Sequence, residues 1–166
     1  GEPLDPSLPV DGTTGYDALR EIGGVFINPS GAETLTTLAE SAGFSRPDAA
    51  ESLRQLKIDT TTEMLASELA RLCRTIERDT GASHPRLPDA IAALLAVVGL
   101  YRTDYTALSQ VLGAALAHTV ASEPELAAPL EILVCALTHP EPAARLQQLC
   151  GAMTAKSIED CYFYRD

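Results

Sequence analysis

The sequence predicts a mainly α protein in which about six or seven antiparallel helices pack into one subdomain. Apolar residues recur at three- and four-residue intervals along most of the chain, which is the spacing of one helix face. Short polar or Gly/Pro-containing turns separate these stretches. With 166 residues, the chain is long enough to bury a single apolar core.

Residues 1–30 form a different region from the rest. Four prolines and the glycines of "DGTTGY" and "IGGVF" interrupt regular structure there. We expect an irregular lead with one short helix near 16–21. A Thr14 to Asp17 spacing resembles a capping box and indicates a helix start, with sugar binding as the alternative.

Residues 31–150 contain the predicted helices. Leu35 and Leu38 lie on one face of a predicted helix that ends at Gly43. The next predicted helix begins at Ser45. The clearest pattern follows from Met64. Its apolar residues recur at intervals of four, three and four: Leu65, Leu69, Leu72 and Ile76. Further helices are predicted for "LPDAIAALLAVV", "DYTALSQVLGAALAHTV", the stretch after Pro124 and "PEPAARLQQLCGAM".

The last region, 151–166, departs from this pattern. In "TAKSIEDCYFYRD", β-branched and aromatic residues crowd together: Ile158, Tyr162, Phe163 and Tyr164. Such residues are typical of a strand or its exit loop. We therefore expect the chain to leave its helical body here.

Composition limits the classes of partner. A formal net charge of -11 leaves no broad basic surface, so neither nucleic acid nor an anionic membrane is an expected partner. No run of eighteen apolar residues and no signal-peptide pattern occurs in the sequence, and we expect a cytoplasmic location. The oligomeric state is open.

The cysteines and histidines do not form a metal motif. Cys73, Cys135, Cys150 and Cys161 lie far apart, without the short spacing of zinc ligands or redox pairs. The three histidines are scattered as well. We expect reduced thiols, no metal site and no cofactor.

Two stretches carry candidate site residues. In "GLYRTDY", Tyr101 and Arg102 lie between two predicted helices, where a tyrosine stacks on a sugar or pins a helix junction. In "AKSIEDCYFYR", Glu159 and Asp160 are adjacent and would point to opposite faces of an extended segment. Lys156, four residues before Asp160, is a candidate salt-bridge partner of that carboxylate.

Three separated stretches resemble the maltooligosyl trehalose synthase family in the same order: 8–29, 99–105 and 145–165. That family belongs to the α-amylase superfamily, glycoside hydrolase family 13, whose catalytic domain is a (β/α)8 barrel. The resemblance implies that 31–150 is a helical insertion beside the barrel. Residues 1–30 and 151–166 would then be a barrel-loop remnant and a barrel-strand remnant of a longer enzyme.

The resemblance also implies a reaction. The family converts the reducing-end α-1,4 linkage of a maltooligosaccharide into an α,α-1,1 linkage by intramolecular transglycosylation. By this resemblance Asp160 matches the third catalytic acid, with Lys156 and Glu159 as its orienting or charge partners. Tyr16, Asp17, Tyr101 and Arg102 would line the reducing-end subsite. The nucleophile and the acid/base would lie outside this chain, so the chain alone is predicted to be inactive.

A second hypothesis comes from a different class of protein. The chain would be an acidic helical module that binds another protein and performs no chemistry. The helical pattern supports this reading as well, whereas the two barrel-like ends favour the enzyme.

Overall fold

The computed structural model describes residues 9, 11, 16–43, 49–104 and 109–162. The chain divides into two compact units, Gly1–Arg46 and Pro47–Asp166, and each is described by itself. This division differs from the boundary predicted at residue 30. The roles of 1–30, 31–150 and 151–166 within a longer protein stay predictions.

The first unit contains two α-helices among its described residues. Helix α1 spans Tyr16–Gly24, a 3-10 turn spans Pro29–Gly31, and α2 spans Ala32–Ser41. The short helix predicted at 16–21 is therefore confirmed. Gly43 has a φ of 87°, which suits the helix stop predicted there. The predicted starts at Thr14 and Ser45 lie outside the described residues.

The second unit contains six α-helices in its described part. They are α3 (Ala49–Asp59), α4 (Ala66–Thr80), α5 (Leu87–Val97), α6 (Ser109–Ser122), α7 (Ala127–Ala136) and α8 (Pro140–Thr154). A π-helical segment, Thr60–Met64, links α3 to α4, and a 3-10 turn, Pro124–Leu126, precedes α7. The mainly α fold is confirmed.

Helix α5 lies at the centre of this unit. It packs against α3, α4, α6 and α7, and the residues from Ala90 to Ala96 are all buried. A helix that is apolar on every side is stable only when neighbours surround it. The "AIAALLAVV" run therefore specifies the central helix, and the connection after it starts from a fixed position.

Helix α4 shows the predicted amphipathic pattern. Leu69, Leu72 and Ile76 face the core, and the chain then turns at Gly81, whose φ is 70°. Further large side chains of the core come from α5, α7, α8 and the turn before α7, among them Leu87, Ile91, Leu94, Leu95, Leu126, Leu133, Leu146 and Met153.

The strand predicted near the end of the chain is not formed in the described residues. Ala155–Tyr162 is a π-helical segment that continues directly from α8. The extended conformation predicted for Ile158 and Tyr162 is therefore wrong, whereas Phe163 and Tyr164 lie outside the described residues. Ser157 and Cys161, four residues apart, are buried, so the inward face follows helical spacing. A strand also needs a neighbouring strand for its backbone hydrogen bonds, and none is present in the described part of the chain.

Candidate functional site

The candidate site is built on the connection that follows α5, residues 98–104. Its start is held by Lys57 of α3, a lysine that is only 4% exposed. The Lys57 Nζ donates hydrogen bonds to the Val98 carbonyl oxygen at 2.8 Å and to the Ala96 carbonyl oxygen at 3.3 Å. The last carbonyls of a helix have no partner within the helix, so these bonds fix where the chain leaves α5.

Helix α8 holds the rest of the connection. The backbone N–H of Thr103 donates to Gln147 Oε1 at 2.7 Å, and Gln147 Nε2 donates to Thr103 Oγ at 3.0 Å. The Cys150 Sγ and the Thr154 Oγ both donate to the Leu100 carbonyl oxygen, at 3.2 Å and 3.4 Å. Side chains from two helices thus hold a loop that lacks regular secondary structure.

Burial changes the titration of two of these groups. Desolvation lowers the pKa of Lys57, while the nearby Cys150 acts in the opposite direction. Desolvation also raises the pKa of the Cys150 thiol to about 11. At neutral pH the thiol therefore keeps the proton that it donates to Leu100.

An open cleft lies between this connection and α8. It has a volume of about 560 Å³. Its lining comes from both elements: Tyr101, Arg102, Asp104, Pro140, Ala143, Ala144, Gln147, Gln148 and Gly151. A second cleft of about 510 Å³, between α3, α5 and α6, contains none of the sequence-predicted site residues.

Tyr101 and Arg102 present their side chains at this cleft. The Tyr101 hydroxyl donates to Glu159 Oε1, and the Tyr101 side chain remains accessible with the residue 45% exposed. Arg102 Nε donates to Asp104 Oδ1 at 3.0 Å, and this bond lowers the pKa of Asp104. The cleft therefore combines an aromatic ring with a guanidinium group, a carboxylate and the amides of Gln147 and Gln148.

Lys156 and Asp160 form a separate pair on the π-helical segment. Lys156 Nζ lies 2.7 Å from Asp160 Oδ2, and their side chains are 50% and 51% exposed. The bond to Asp160 raises the pKa of Lys156. The predicted contact between Lys156 and Asp160 is therefore present. Glu159, which was predicted to orient Asp160, accepts a hydrogen bond from Tyr101. Asp160 is not part of the cleft lining.

The remaining predicted residues, Tyr16 and Asp17, begin α1 in the first unit. Their side chains lie outside the described part of the structure, so their place in a subsite stays a prediction.

Sequence reasoning missed Lys57, Gln147, Gln148 and Asp104. Lys57 gave one usable signal, because it is one of two lysines in the sequence and lies four residues after Leu53 on the same helix face. A charged residue on the inward face of a helix is expected to have a partner in the interior. Nothing in the sequence indicated a comparable role for Gln147 and Gln148 of α8.

Two searches of the described residues gave negative results. No group of three or more His, Cys, Asp or Glu side chains is placed there to hold a metal ion. No helix within the described ranges is long and apolar enough to cross a membrane.

Comparisons with known proteins extend the resemblance noted in the sequence. No protein-family model matches the chain. Two Mycobacterium tuberculosis proteins that bear the name maltooligosyl trehalose synthase, from strains CDC 1551 and H37Rv, are each 52% identical over 166 residues. The match covers 99% of this chain, which spans only 22% of the length of these relatives.

Solved structures agree with this result. The maltooligosyltrehalose synthase of Arthrobacter ramosus matches with a TM-score of 0.73 at 36% identity, over 99% of this chain and 21% of that one. A point variant of the same enzyme matches with a TM-score of 0.75 at 35% identity. These matches favour the enzyme family over an unrelated interaction module. The chain therefore matches proteins named maltooligosyl trehalose synthase over nearly its whole length and corresponds to about a fifth of the length of those relatives.

Proposed function

We propose that this chain contributes a saccharide-binding cleft to an enzyme that forms trehalose ends on maltooligosaccharides. The observation that carries the proposal is the cleft beside α8, in which Tyr101 and Arg102 are presented by a connection held from two sides. Sugars offer an apolar ring face and several hydroxyl groups. A tyrosine ring suits the ring face, and guanidinium, carboxylate and amide groups suit the hydroxyls.

The reaction proposed for the whole enzyme is an intramolecular transglycosylation. The α-1,4 bond to the reducing-end glucose breaks, and the freed glucose attacks through its anomeric hydroxyl to form an α,α-1,1 bond. No water is consumed, so the glucose must be retained while it turns. A rigid cleft wall with an exposed aromatic ring serves such retention, and Tyr101 and Arg102 are the residues to which we assign it.

A catalytic role for Asp160 stays a prediction that derives from the family resemblance. As the third acid, its carboxylate would bind ring hydroxyls and gain strength as positive charge develops on the sugar. In this structure the carboxylate pairs with Lys156 at the surface. The cleft therefore supports saccharide binding more directly than it supports catalysis by Asp160.

We expect no trehalose formation by this chain alone. In the proposed two-step mechanism one carboxylate forms a glycosyl-enzyme and another acts first as acid and then as base. Both groups are assigned to other parts of the enzyme. Removal of a nucleophile costs orders of magnitude in rate. The proposed substrate is a maltooligosaccharide, and a cytoplasmic location stays a prediction.

The test is binding of maltotriose to the chain, followed by titration calorimetry or by amide chemical shifts. Wild type should bind saturably, and Tyr101→Ala should weaken binding by about 5- to 10-fold because it removes the stacking surface. The matched control is Phe26→Ala, which removes an aromatic ring that is 89% exposed in the first unit. It should bind like wild type.

Two results would count against the proposal. One is the absence of saturable binding at about 10 mM maltotriose, where a millimolar Kd is readily measured. The other is an unchanged affinity in Tyr101→Ala. A separate assay incubates the same protein preparation with maltohexaose and measures reducing ends, whose concentration should stay constant. Their loss would show that the chain is active without the other carboxylates.

A further inference from the structure

Lys57 is a buried ammonium group without a carboxylate partner among the described residues. Removing an ammonium group from water is costly unless hydrogen bonds replace the lost water contacts. Here the replacements are two backbone carbonyl oxygens of one short stretch, Ala96 and Val98. The group that faces Lys57 from α8 is the Cys150 thiol.

The two carbonyls mark the point where α5 ends. Val98 has an extended backbone, with a φ of -75° and a ψ of 120°, so the helix stops at Val97 and the chain turns into the connection. A positive charge at a helix C-terminus is favourable because the exposed carbonyls carry partial negative charge. Lys57 therefore stabilises both the end of the helix and the direction in which the chain leaves it.

Two of the cleft residues, Tyr101 and Arg102, lie immediately after this point in the sequence. Tyr101 lies three residues after Val98, and the carbonyl oxygen of Leu100 between them accepts the bonds from Cys150 and Thr154. Lys57 thus fixes the first part of the connection from α3, while α8 fixes the second part. A shift at Val98 would pass directly to Tyr101, since few backbone torsions separate them.

We propose that Lys57 is a positioning residue for the saccharide cleft, acting through the carbonyls of Ala96 and Val98 to place Tyr101 and Arg102. The proposal rests on the saccharide-binding function proposed above. Lys57 lies in the interior on α3, and its role is to hold the loop that carries the binding residues.

The experiment compares Lys57→Met with Leu133→Ala. Methionine keeps an unbranched side chain but donates nothing to the two carbonyls. Leu133 is fully buried on α7 and its side chain makes no hydrogen bond, so its truncation destabilises the core but removes none of the hydrogen bonds that hold the connection. Both variants are studied under conditions where each is folded. Two quantities are measured, the Kd for maltotriose and the amide hydrogen exchange of Thr103 relative to that of Leu94 in the core.

Lys57→Met should weaken maltotriose binding by about 2- to 30-fold, the range expected for a residue that acts on a site without touching it. It should also speed exchange at Thr103 relative to Leu94, because the Thr103 N–H bond to Gln147 opens when the connection shifts. Leu133→Ala should change neither quantity. Equal effects of the two variants would reduce Lys57 to a general contribution to stability and overturn the proposal.

The two readouts separate this proposal from the proposed function. Should wild type fail to bind maltotriose, the saccharide function is wrong, and Thr103 exchange still decides whether Lys57 positions the connection. Should Lys57→Met fail to fold, Lys57→Leu, which also donates nothing to the two carbonyls, is compared in the same way. Unchanged Thr103 exchange in the variant that folds would contradict the proposal.

Discussion

The connection after α5 and the π-helical segment after α8 both carry candidate site residues, but they are held in different ways. In the connection, buried or half-buried side chains from α3 and α8 bind the backbone of residues 98–103. On the π-helical segment, Lys156 and Asp160 bind each other at the surface. The Lys156–Asp160 pair is thus a local contact, whereas the side chains that bind the connection make tertiary contacts.

The difference shows which side chains the fold positions. Lys57, Gln147 and Cys150 come from sequence positions 39 to 50 residues away from the groups they bind. Such contacts form only when the second unit folds. Lys156 and Asp160 are four residues apart, and any regular helix brings them together. Tyr101 and Arg102 are therefore fixed by tertiary structure, whereas Asp160 is placed mainly by local geometry.

The largest loss of stability among the variants that test this comparison is expected from Gln147→Leu. The Thr103 N–H and hydroxyl would lose their partner, although Thr103 is only 7% exposed. A buried polar group left without a partner costs about 1–3 kcal/mol, and urea unfolding measures the loss of stability. Gln148→Leu, at the next and exposed position, is the control and should change stability by less than about 0.5 kcal/mol. Equal stability of the two variants would mean that the connection is not held by Gln147.

A smaller loss of stability is expected from ionisation of the Cys150 thiol at alkaline pH. Because burial raises the thiol pKa to about 11, the folded state keeps a proton that the unfolded chain releases near pH 9. Stability should therefore fall between these values, by no more than about 1.4 kcal/mol per pH unit for this group. Lys57 opposes this fall, since burial lowers its pKa, while Cys73, whose pKa burial also raises to about 11, adds to it.

The measurement is the free energy of unfolding from pH 8 to 11 in the presence of a reductant. Cys150→Ala should show a shallower fall than wild type, and the exposed Cys135→Ala should fall as steeply as wild type. A slope that does not change in Cys150→Ala would indicate that the thiol ionises as readily in the folded protein as in the unfolded one.

The smallest effect is expected at the exposed pair. Lys156→Gln, Asp160→Asn and the double variant should leave the urea midpoint almost unchanged, because solvent screens an exposed ion pair and ordering two side chains offsets the attraction. A double-mutant cycle measures the coupling directly. A large coupling energy would show that the exposed Lys156–Asp160 pair contributes as much as the hydrogen bonds of the connection, and the contrast between the two kinds of contact would disappear.

Much of the fold could be predicted from the sequence. The spacing of Leu69, Leu72 and Ile76 predicted α4 and its inward face, and Gly43, which has a positive φ, follows the end of α2 as predicted. The strand predicted for the segment that contains Ile158 and Tyr162 was wrong because aromatic and β-branched residues favour strands only when a sheet is available to receive them. Here α8 continues instead, and Ser157 Oγ donates to the Met153 carbonyl oxygen at 2.7 Å as part of the same helical run.

Less of the site could be predicted. Tyr101 and Arg102 were assigned to a subsite from the family resemblance; both line one cleft, and their role there stays a prediction. Lys57 and Gln147 were missed because the backbone supplies all the partners of Lys57 and one of the partners of Gln147. A hydrogen bond to a carbonyl or an N–H leaves no trace in the identity of the residue that provides it.

The burial of Lys57 also affects how the chain can be handled chemically. The sequence has two lysines, and only Lys156 has its ε-amino group at the surface. An amine-reactive dye or support would therefore attach at Lys156 or at the α-amino group and leave Lys57 unmodified. Lys156 lies three residues before Glu159, which binds Tyr101. Amine coupling at Lys156 would attach the support on the same segment as the carboxylate that binds Tyr101, whereas the exposed Cys135 lies on α7, which contributes no residue to the cleft lining.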